Sequence, residues 1–253
     1  MGGFETSMGG GARAFPSTRW SILHAAQDPE SPAHREAIEH LCGLYWKPVY
    51  AYIRAVRHPT NEEAKDLTQD FFAELMIGGM LSRYRPDRGG FRRYLQGAIK
   101  LFLLEAHEKA TALKRGGGRK ILNLDDTDFH SMEGAGESKT QTPEDLFDLQ
   151  WANSVLHHAL QDLRDELVRT EKEVYYRVFD RYELNRPMDQ PATYAPIAEE
   201  FGLKETDVAN YLKFCRKRLR ALILERIRDY VAGESELNSE LAGILRLLTS
   251  KAR

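Results

Sequence analysis

A row of hydroxyl, amide, aromatic and cationic side chains recurs at helical spacing between residues 206 and 220. Its members are Thr206, Asn210, Tyr211, Lys213, Phe214, Arg216 and Lys217, with Arg218 and Arg220 close by. Amide groups can pair with base edges and cationic groups hold phosphate oxygens, so the chemistry that this row predicts is DNA binding. The competing interpretation is a solvated basic face, because charge patterns alone are weak signals.

Two helices joined by a tight turn are predicted to position this row. Their apolar residues are Ile197, Ala198 and Phe201 in the first helix and Val208, Leu212, Cys215 and Leu219 in the second. Gly202 and Leu203 lie between the two sets and predict the turn. The pattern is typical of a helix-turn-helix, whose second helix enters the major groove of DNA. Lys204 stands where a Ser or Thr would normally cap the second helix, so we expect Glu205 or Thr206 to cap it instead.

The composition favours a cytoplasmic protein. The chain has 253 residues, of which 42% are apolar, and a net charge of −2. This length is sufficient for one or two domains. The longest apolar runs are too short to cross a bilayer and the first residues lack a signal-peptide pattern, so we expect no membrane insertion. Cys42 and Cys215 do not have the spacing of a disulfide framework or a thiolate metal site.

The sequence predicts no catalytic residue, no metal site and no cofactor. The 8 histidines show no HExxH or other metal-binding spacing, and the glycines of residues 116–118 lack the G-K-[ST] ending of a phosphate loop. His157 and His158 are adjacent on a predicted helix and therefore point to different faces. We therefore expect a binding protein rather than an enzyme.

Charge is strongly segregated along the chain. Residues 81–120 contain 11 Lys/Arg and 3 Asp/Glu, residues 121–150 contain 1 and 8, and residues 204–228 contain 8 and 3. Two basic blocks separated by an acidic block can bind a polyanion at two places while the acidic connector is repelled from it. The alternative is that the basic helices are simply solvated.

Apolar residues at helical spacing, without β-alternation of useful length, predict an all-α fold. We expect two small helical domains joined by a flexible acidic linker, with the helix-turn-helix in the second. The predicted divisions are a partly disordered N-terminal extension (1–30), a first domain (31–119), a linker (120–142), a second domain (143–232) and an amphipathic tail (233–253). Pro48 is expected to divide the helix of residues 34–56. The helix of residues 91–110 has Tyr94, Leu95, Ala98, Leu101, Phe102 and Leu104 as its expected apolar set.

A predicted helix over residues 61–77 carries a row of like charges. Glu62, Asp66 and Asp70 are four residues apart, and such a row destabilises an isolated helix by a few tenths of a kcal/mol per pair. The row is therefore better explained as a docking surface for a basic partner, with Gln69 and Phe72 nearby to add a hydrogen bond and an apolar contact. A solvated acidic face is the alternative.

Three segments in this order resemble a known family. They are EAKDLTQDFF at residues 63–72, GFRRYL at 90–95 and YAPIAEEFGL at 194–203. Together they resemble a bacterial RNA polymerase sigma factor of the sigma-70 class, of the extracytoplasmic-function type that keeps only the second and fourth conserved sigma regions. The resemblance covers residues 33–119 and 143–231.

The resemblance implies a division of labour. Glu63, Asp66, Gln69, Asp70 and Phe72 would bind the clamp helices of the largest subunit of core RNA polymerase. Phe91, Arg92, Arg93, Tyr94 and Lys100 would bind and open the −10 promoter element, although core packing is the favoured role for Phe91. The row from Thr206 to Lys217 would read the −35 element, where Asn210 could pair with adenine. The polymerase flap is a further implied partner, and the linker would thread toward the polymerase active site.

The sequence also departs from the family pattern. Lys65 replaces an acidic residue, and phosphorylation of Thr60 or Thr68 by a Ser/Thr kinase could restore negative charge. An anti-sigma factor is another candidate regulator, and the tail is predicted to regulate by docking on one of the sigma domains. Two alternatives remain open. One is a stand-alone helix-turn-helix repressor or activator, and the other is a degenerate sigma-like adaptor that binds polymerase or a regulator.

Overall fold

The computed structural model describes residues 21–113, 142–186, 193–228, 231, 237–238 and 240–244. The fold is all-α, as predicted, and no β-strand occurs within these ranges. The helices are α1 (Ser21–Gln27), α2 (His34–Arg57), α3 (Asn61–Met76), α4 (Met80–Arg83), α5 (Phe91–Leu113), α6 (Pro143–Arg169), α7 (Glu173–Phe179), α8 (Ala195–Phe201) and α9 (Glu205–Arg228). A π-helical turn (Asp180–Leu184) follows α7, and the described residues 237–238 and 240–244 of the tail are helical. The predicted linker, apart from Thr142, and residues 1–20 lie outside the described residues.

Pro48 does not divide α2, contrary to the prediction. The helix continues from His34 to Arg57 with Pro48 buried inside it. A proline inside a helix removes one backbone hydrogen bond and costs about 3 kcal/mol. Tyr45, Val49 and Ile53 are almost fully buried on the same helix, and burial of each such side chain contributes roughly 1.5–3 kcal/mol. Tertiary packing therefore outweighs the local cost of the proline.

Local capping fixes the start of α3. The Thr60 hydroxyl oxygen accepts the backbone N–H of Glu63, and the Glu63 carboxylate accepts the backbone N–H and the hydroxyl of Thr60. This reciprocal arrangement satisfies two otherwise unpaired donors at the helix end. The predicted helix is confirmed to within one residue, and Ala64, Phe71 and Leu75 bury its apolar face.

The helices of the two predicted domains share one hydrophobic core. Helix α6 packs along α2 and also against α9. The Phe147 ring of α6 stacks on Tyr45 at 6.3 Å between centroids and contacts the edge of Tyr52 at 6.4 Å. The division into two domains stays a prediction, but the described parts of both halves are packed against each other.

The buried face of α5 differs from the predicted one. Leu101 and Leu104 are each 62% exposed, whereas Leu103 is buried. The residues of α5 that face the core are Phe91, Leu95, Ile99 and Leu103. They are four positions apart and therefore lie on a single face of the helix. Leu101 and Leu104 lie off that face because α5 packs on the core through one side only.

Candidate nucleic-acid interface

The turn between α8 and α9 has the geometry of a glycine helix end. Gly202 has a positive φ of 65°, which an L-residue with a Cβ adopts only with strain. The Gly202 N–H donates to the Glu199 carbonyl and the Leu203 N–H donates to the Ala198 carbonyl at 2.8 Å. This pair of bonds closes α8 and turns the chain sharply into α9.

Helix α9 begins at Glu205, but neither Glu205 nor Thr206 caps it as expected. The Lys204 backbone N–H donates instead to Asp207 Oδ2 at 3.3 Å. Asp207 lies in the first turn, where its negative charge also interacts favourably with the positive end of the helix dipole. The start of α9 is therefore capped by Asp207, its third residue, and not by Glu205 or Thr206.

One exposed face of α9 carries the polar and cationic groups predicted to bind DNA. Thr206, Asn210, Lys213 and Lys217 are all exposed and follow one another at intervals of four, three and four residues. Arg220 is exposed three residues further along and extends the same face, although the prediction had placed it only near the row. At 1.5 Å per residue the stripe from Thr206 to Arg220 is about 21 Å long. We call these five residues the α9 stripe.

The two aromatic residues of α9 that were predicted to bind DNA, Tyr211 and Phe214, pack against α7. The Tyr211 ring stacks on Tyr175 of α7 with centroids 3.8 Å apart, and Phe214 contacts the same ring edge-on at 5.6 Å. Phe214 stays 38% exposed, with the Lys172 ammonium 5.3 Å from its ring centre. These aromatic residues pack α9 on α7, although Phe214 stays exposed and Tyr211 is only half-buried.

Arg216 and Arg218 are bound within the protein. The Arg216 Nε donates to Glu183 Oε1 at 2.8 Å. Burial opposes the charge of Arg216, but its contacts with Glu183 outweigh burial and raise its pKa. The Arg218 guanidinium pairs with Glu166 of α6 at 2.8 Å and with Glu225 at 2.9 Å. The Arg216 side chain is 50% exposed, so the pair with Glu183 is a surface one, and Arg216 as a DNA contact stays a prediction.

Two of the residues predicted to bind a −10 element form internal contacts of α5. Phe91 is buried, with its ring edge-on to Tyr45 at 5.5 Å and to Tyr84 at 5.1 Å between centroids. Tyr94 is half-buried and its hydroxyl donates to the Met80 carbonyl. Phe91 therefore packs in the core, which was its favoured role, and Tyr94 is also used for packing.

Arg92 joins three parts of the chain. Its Nη1 lies 2.5 Å from Asp148 of α6 and its Nη2 lies 2.9 Å from Glu240 of the tail. Its guanidinium carbon also lies 4.8 Å from the centre of the Trp151 ring. Burial lowers the pKa of Arg92, but the two carboxylates outweigh it and raise the pKa overall. The prediction of Arg92 as a DNA contact is therefore wrong, because the tail and α6 occupy its donors.

The other cations of α5 differ from each other in their environment. Lys100 pairs with Glu144 at the start of α6, with 2.6 Å between Nζ and Oε1. Its side chain remains 56% exposed, so the pair is a surface one of modest strength. Arg93 is exposed, and no ion pair or hydrogen bond of its side chain is found in the described ranges. Of the five predicted −10 residues, Arg93 alone is fully available to a ligand.

Besides the ion pair of Glu240 with Arg92, the tail contributes apolar side chains to the core. Leu237, Leu241 and Ile244 are buried in the shared core. The described part of the tail is therefore docked on the core, whereas residues 245–253 of the predicted amphipathic tail lie outside the described residues. Whether the docked tail regulates the protein stays a prediction.

The acidic face of α3 is only partly the predicted one. Asp66 and Asp70 are exposed, and Glu74 extends the row by a further four residues. Burial, with Asp66 nearby, raises the pKa of Asp70. Phe72 is buried with its ring edge-on to Phe71 at 5.7 Å. The prediction of Phe72 as a contact with polymerase is therefore wrong, because its ring faces the core.

Three further polar residues of α3 lie near the acidic row: Glu63, Lys65 and Gln69. Glu63 is exposed, and its bonds to the Thr60 backbone and side chain lower the pKa of the Glu63 carboxyl. Gln69 is half-buried. The side chain of Lys65 is 13% exposed and pairs with Glu62 at 3.0 Å. Lys65 therefore lies beside the acidic row rather than interrupting its outer surface, and it partly neutralises Glu62.

The two candidate phosphorylation sites have opposite environments. Thr68 is fully buried and its hydroxyl donates to the Ala64 carbonyl at 2.7 Å. A kinase cannot reach this hydroxyl in the folded chain, so Thr68 is excluded. Thr60 is exposed at the start of α3, and its phosphorylation stays a prediction.

Comparisons with family models, with curated proteins and with solved structures gave no match. None of the helices in the described ranges is both long enough and apolar enough to cross a membrane. Within the same ranges, no group of three or more His, Cys, Asp or Glu side chains is arranged to hold a metal ion.

Proposed function

We propose that the chain is a sigma factor that binds core RNA polymerase and directs promoter-specific initiation of transcription in the bacterial cytoplasm. The observation that carries the proposal is the α9 stripe, whose amide, hydroxyl and cationic groups follow one exposed face of the second helix of a helix-turn-helix. Such a helix presents its first turns to base edges in the major groove and its later cations to phosphates. The proposal assigns no catalytic residue.

Within the stripe, the chemistry of each residue suggests its role. Thr206 and Asn210 lie in the first two turns of α9, and an Asn amide can pair bidentately with adenine. Lys213, Lys217 and Arg220 lie further along, where a straight helix leaves the groove floor and approaches the backbone. These cations would supply affinity and its salt dependence rather than sequence selectivity.

The acidic row of α3 supplies the second half of the proposal. Asp66, Asp70 and Glu74 are exposed at four-residue intervals on one face, and these like charges oppose one another unless a cationic surface lies against them. A basic face of polymerase would relieve this repulsion and would select α3 by charge. The clamp helices of the largest subunit are the partner that the family resemblance suggests.

Run-off transcription with bacterial core polymerase across a promoter library tests the proposal. The chain should confer initiation that is absent with core polymerase alone. Lys213→Gln with Lys217→Gln should abolish it, whereas Arg35→Gln, which removes an exposed cation from α2, should not. If no template gives initiation dependent on the chain, the proposal is wrong.

Binding to core polymerase is tested separately with Asp66→Lys. This reversal adds a positive charge to the exposed row and should weaken binding by at least tenfold, because it adds repulsion as well as removing attraction. Asp165→Lys makes the same charge change at an exposed position of α6 and should leave binding unchanged. Equal affinities for the two variants would exclude α3 as the docking surface.

A stand-alone helix-turn-helix regulator is the second candidate, and the internal use of Arg92 favours it. Arg92 was expected to act on a −10 element, yet Asp148 and Glu240 occupy its guanidinium. A gel shift with and without core polymerase separates the candidates. A regulator would bind its specific duplex with the same affinity in both conditions. A sigma factor would show only weak, sequence-independent binding without polymerase and would bind promoter sequences specifically with it.

A further inference from the structure

Helix α5 has an exposed apolar surface that the core does not use. Leu101 and Leu104 are each 62% exposed, and they lie about one turn apart on the side of the helix opposite its buried row from Phe91 to Leu103. A single exposed leucine is ordinary at a protein surface. Two of them on one face form a surface that a further apolar segment can cover.

Two cations border these leucines. Arg93 is exposed about two turns before Leu101, and Gly97 between them is exposed and adds no side chain. Lys100 lies about one turn before Leu104, and its side chain is 56% exposed. This side of α5 therefore combines an apolar surface with positive charge, and it suits a segment that carries apolar and acidic side chains together. We call Arg93, Gly97, Lys100, Leu101 and Leu104 the α5 leucine face.

A segment of the same chain has the complementary composition. Residues 121–129 read ILNLDDTDF, and they contain four large apolar residues, three Asp and no Lys or Arg. They belong to the connection between α5 and α6, of which residues 114–141 lie outside the described residues. Such a sequence matches the α5 leucine face in both hydrophobicity and charge. We call residues 121–129 the linker segment.

Both ends of this connection lie close to the α5 leucine face. Helix α5 ends at Leu113, nine residues beyond Leu104, which is about 14 Å along the helix. Residue 121 follows Leu113 by eight residues, and eight extended residues span about 26 Å, so the linker segment can fold back onto Leu104. At the other end, the Glu144 carboxylate in the first turn of α6 pairs with Lys100 at 2.6 Å. The connection therefore returns directly beside the face.

A short tether favours binding within the same molecule. Seven residues, 114–120, separate α5 from the linker segment, and a connection this short gives an effective concentration on the order of millimolar. A separate protein would have to reach the same surface from a far lower concentration. The pair of Glu144 with Lys100 also shows that an acidic side chain beside this connection can bind a cation of the face.

We propose that the linker segment docks on the α5 leucine face of its own chain. Its apolar side chains contact Leu101 and Leu104, and its aspartates lie toward Arg93 and Lys100. The docked segment covers two cations that were expected to bind promoter DNA, so it competes with that DNA. This consequence rests on the proposed function, whereas the docking itself requires neither DNA nor polymerase.

Limited proteolysis of the full chain tests the docking. Chymotrypsin can cut the linker segment after its Leu and Phe residues only while the segment is undocked, so the rate of this cleavage follows the undocked population. Leu101→Ser with Leu104→Ser should raise the rate by about tenfold or more, because the apolar contact is lost. Cleavage by a glutamate-specific protease after Glu133, which lies in the same connection but outside the segment, should be unchanged.

Matched variants exclude other causes. Ile77→Ser with Val168→Ser removes apolar side chains that are 81% and 49% exposed elsewhere on the surface, and it should leave chymotrypsin cleavage unchanged. Arg93→Gln should raise the cleavage rate by up to about fivefold, the range of an exposed ion pair. Arg164→Gln, at an exposed position of α6, should not raise it. Circular dichroism checks that each variant keeps its helices.

The outcomes are distinct from those of the transcription assay. Equal cleavage rates for the two double variants would overturn the inference. Protection of the segment that increases with protein concentration, together with a dimer mass in light scattering, would assign the face to a second copy of the chain and would also overturn it. Faster cleavage in the Leu101→Ser, Leu104→Ser variant only, combined with absence of polymerase-dependent initiation, would support the docking while rejecting the sigma proposal. Duplex DNA added to the unaltered chain should speed cleavage of the segment, and an unchanged rate would overturn the competition with DNA.

Discussion

Replacing Arg92 by methionine should destabilise the fold far more than the same change at Arg93. Arg92 is 19% exposed and holds Asp148 and Glu240, which are 30% and 15% exposed. Methionine keeps an apolar stem against Trp151 but removes the positive charge that both carboxylates use. The variant therefore leaves two mostly buried negative charges facing each other without a partner.

The size of the effect follows from that burial. Removing one partner of a fully buried ion pair costs about 3–5 kcal/mol, because the remaining charge stays desolvated. The partial exposure of Asp148 allows some hydration, so the expected loss in the free energy of unfolding is about 2–3 kcal/mol. Arg93 is exposed and unpaired in the described ranges, so Arg93→Met should cost less than about 0.5 kcal/mol.

Urea denaturation at pH 7, followed by circular dichroism, measures both variants. A third chain carrying Arg92→Met, Asp148→Asn and Glu240→Gln should recover much of the lost stability, because the unpaired charges are then gone. If Arg92→Met and Arg93→Met differ by less than 0.5 kcal/mol, Arg92 does not join the tail and α6 in solution.

Three further outcomes test local features. Gly202→Ala should cost about 1 kcal/mol from the positive φ alone, whereas Gly97→Ala, at an exposed helical position, should stabilise by roughly 0.5–1 kcal/mol in the same urea titrations. Thr60→Ala should cost about 1 kcal/mol in calorimetric unfolding by removing the cap of α3, and no loss would rule out that cap. Burial lowers the pKa of His40 to about 4, so stability should fall as pH drops below the unfolded pKa of about 6.5, by about 2 kcal/mol between pH 7 and 5. His40→Gln should remove most of that difference, and an unchanged pH dependence would contradict the shift.

The sequence alone could predict the helix-turn-helix and α3 because both depend on local signals. Gly202 marks the helix end, and the buried ladder from Val208 to Cys215 lies on the face opposite Asn210 and Lys213. Each of these signals involves residues that are close in sequence. They are the left-handed glycine at the end of a helix, the threonine that caps a helix start, and apolar residues four positions apart. Such signals are visible in any window of the chain that contains them.

The partners of individual side chains were not predictable in the same way. Arg92 and Arg93 are adjacent cations in one motif, yet one is held by Glu240 from the tail while the other is exposed. A helical pattern indicates which face is apolar, but it does not indicate which distant carboxylate will lie against a cation at the edge of that face. Leu101 and Leu104 were misplaced for the related reason that apolar residues also occur on exposed faces.

The shared core sets a condition on the proposed function. Phe147 inserts between Tyr45 and Tyr52, so α6 and the α9 helix packed on it are fixed relative to α2. Moving α6 and α9 away from α2 would expose Phe147, at roughly 1.5–3 kcal/mol for such a side chain, and would separate Asp148 from Arg92. A polymerase that requires a different spacing must supply this energy through its own contacts with the chain. If the proposed function is right, the α9 stripe of the isolated chain lies at a fixed distance from α3, whereas in the complex with polymerase it lies at the distance that polymerase imposes. Measuring the distance between α3 and the α9 stripe in the two states distinguishes a rigid arrangement from an opened one.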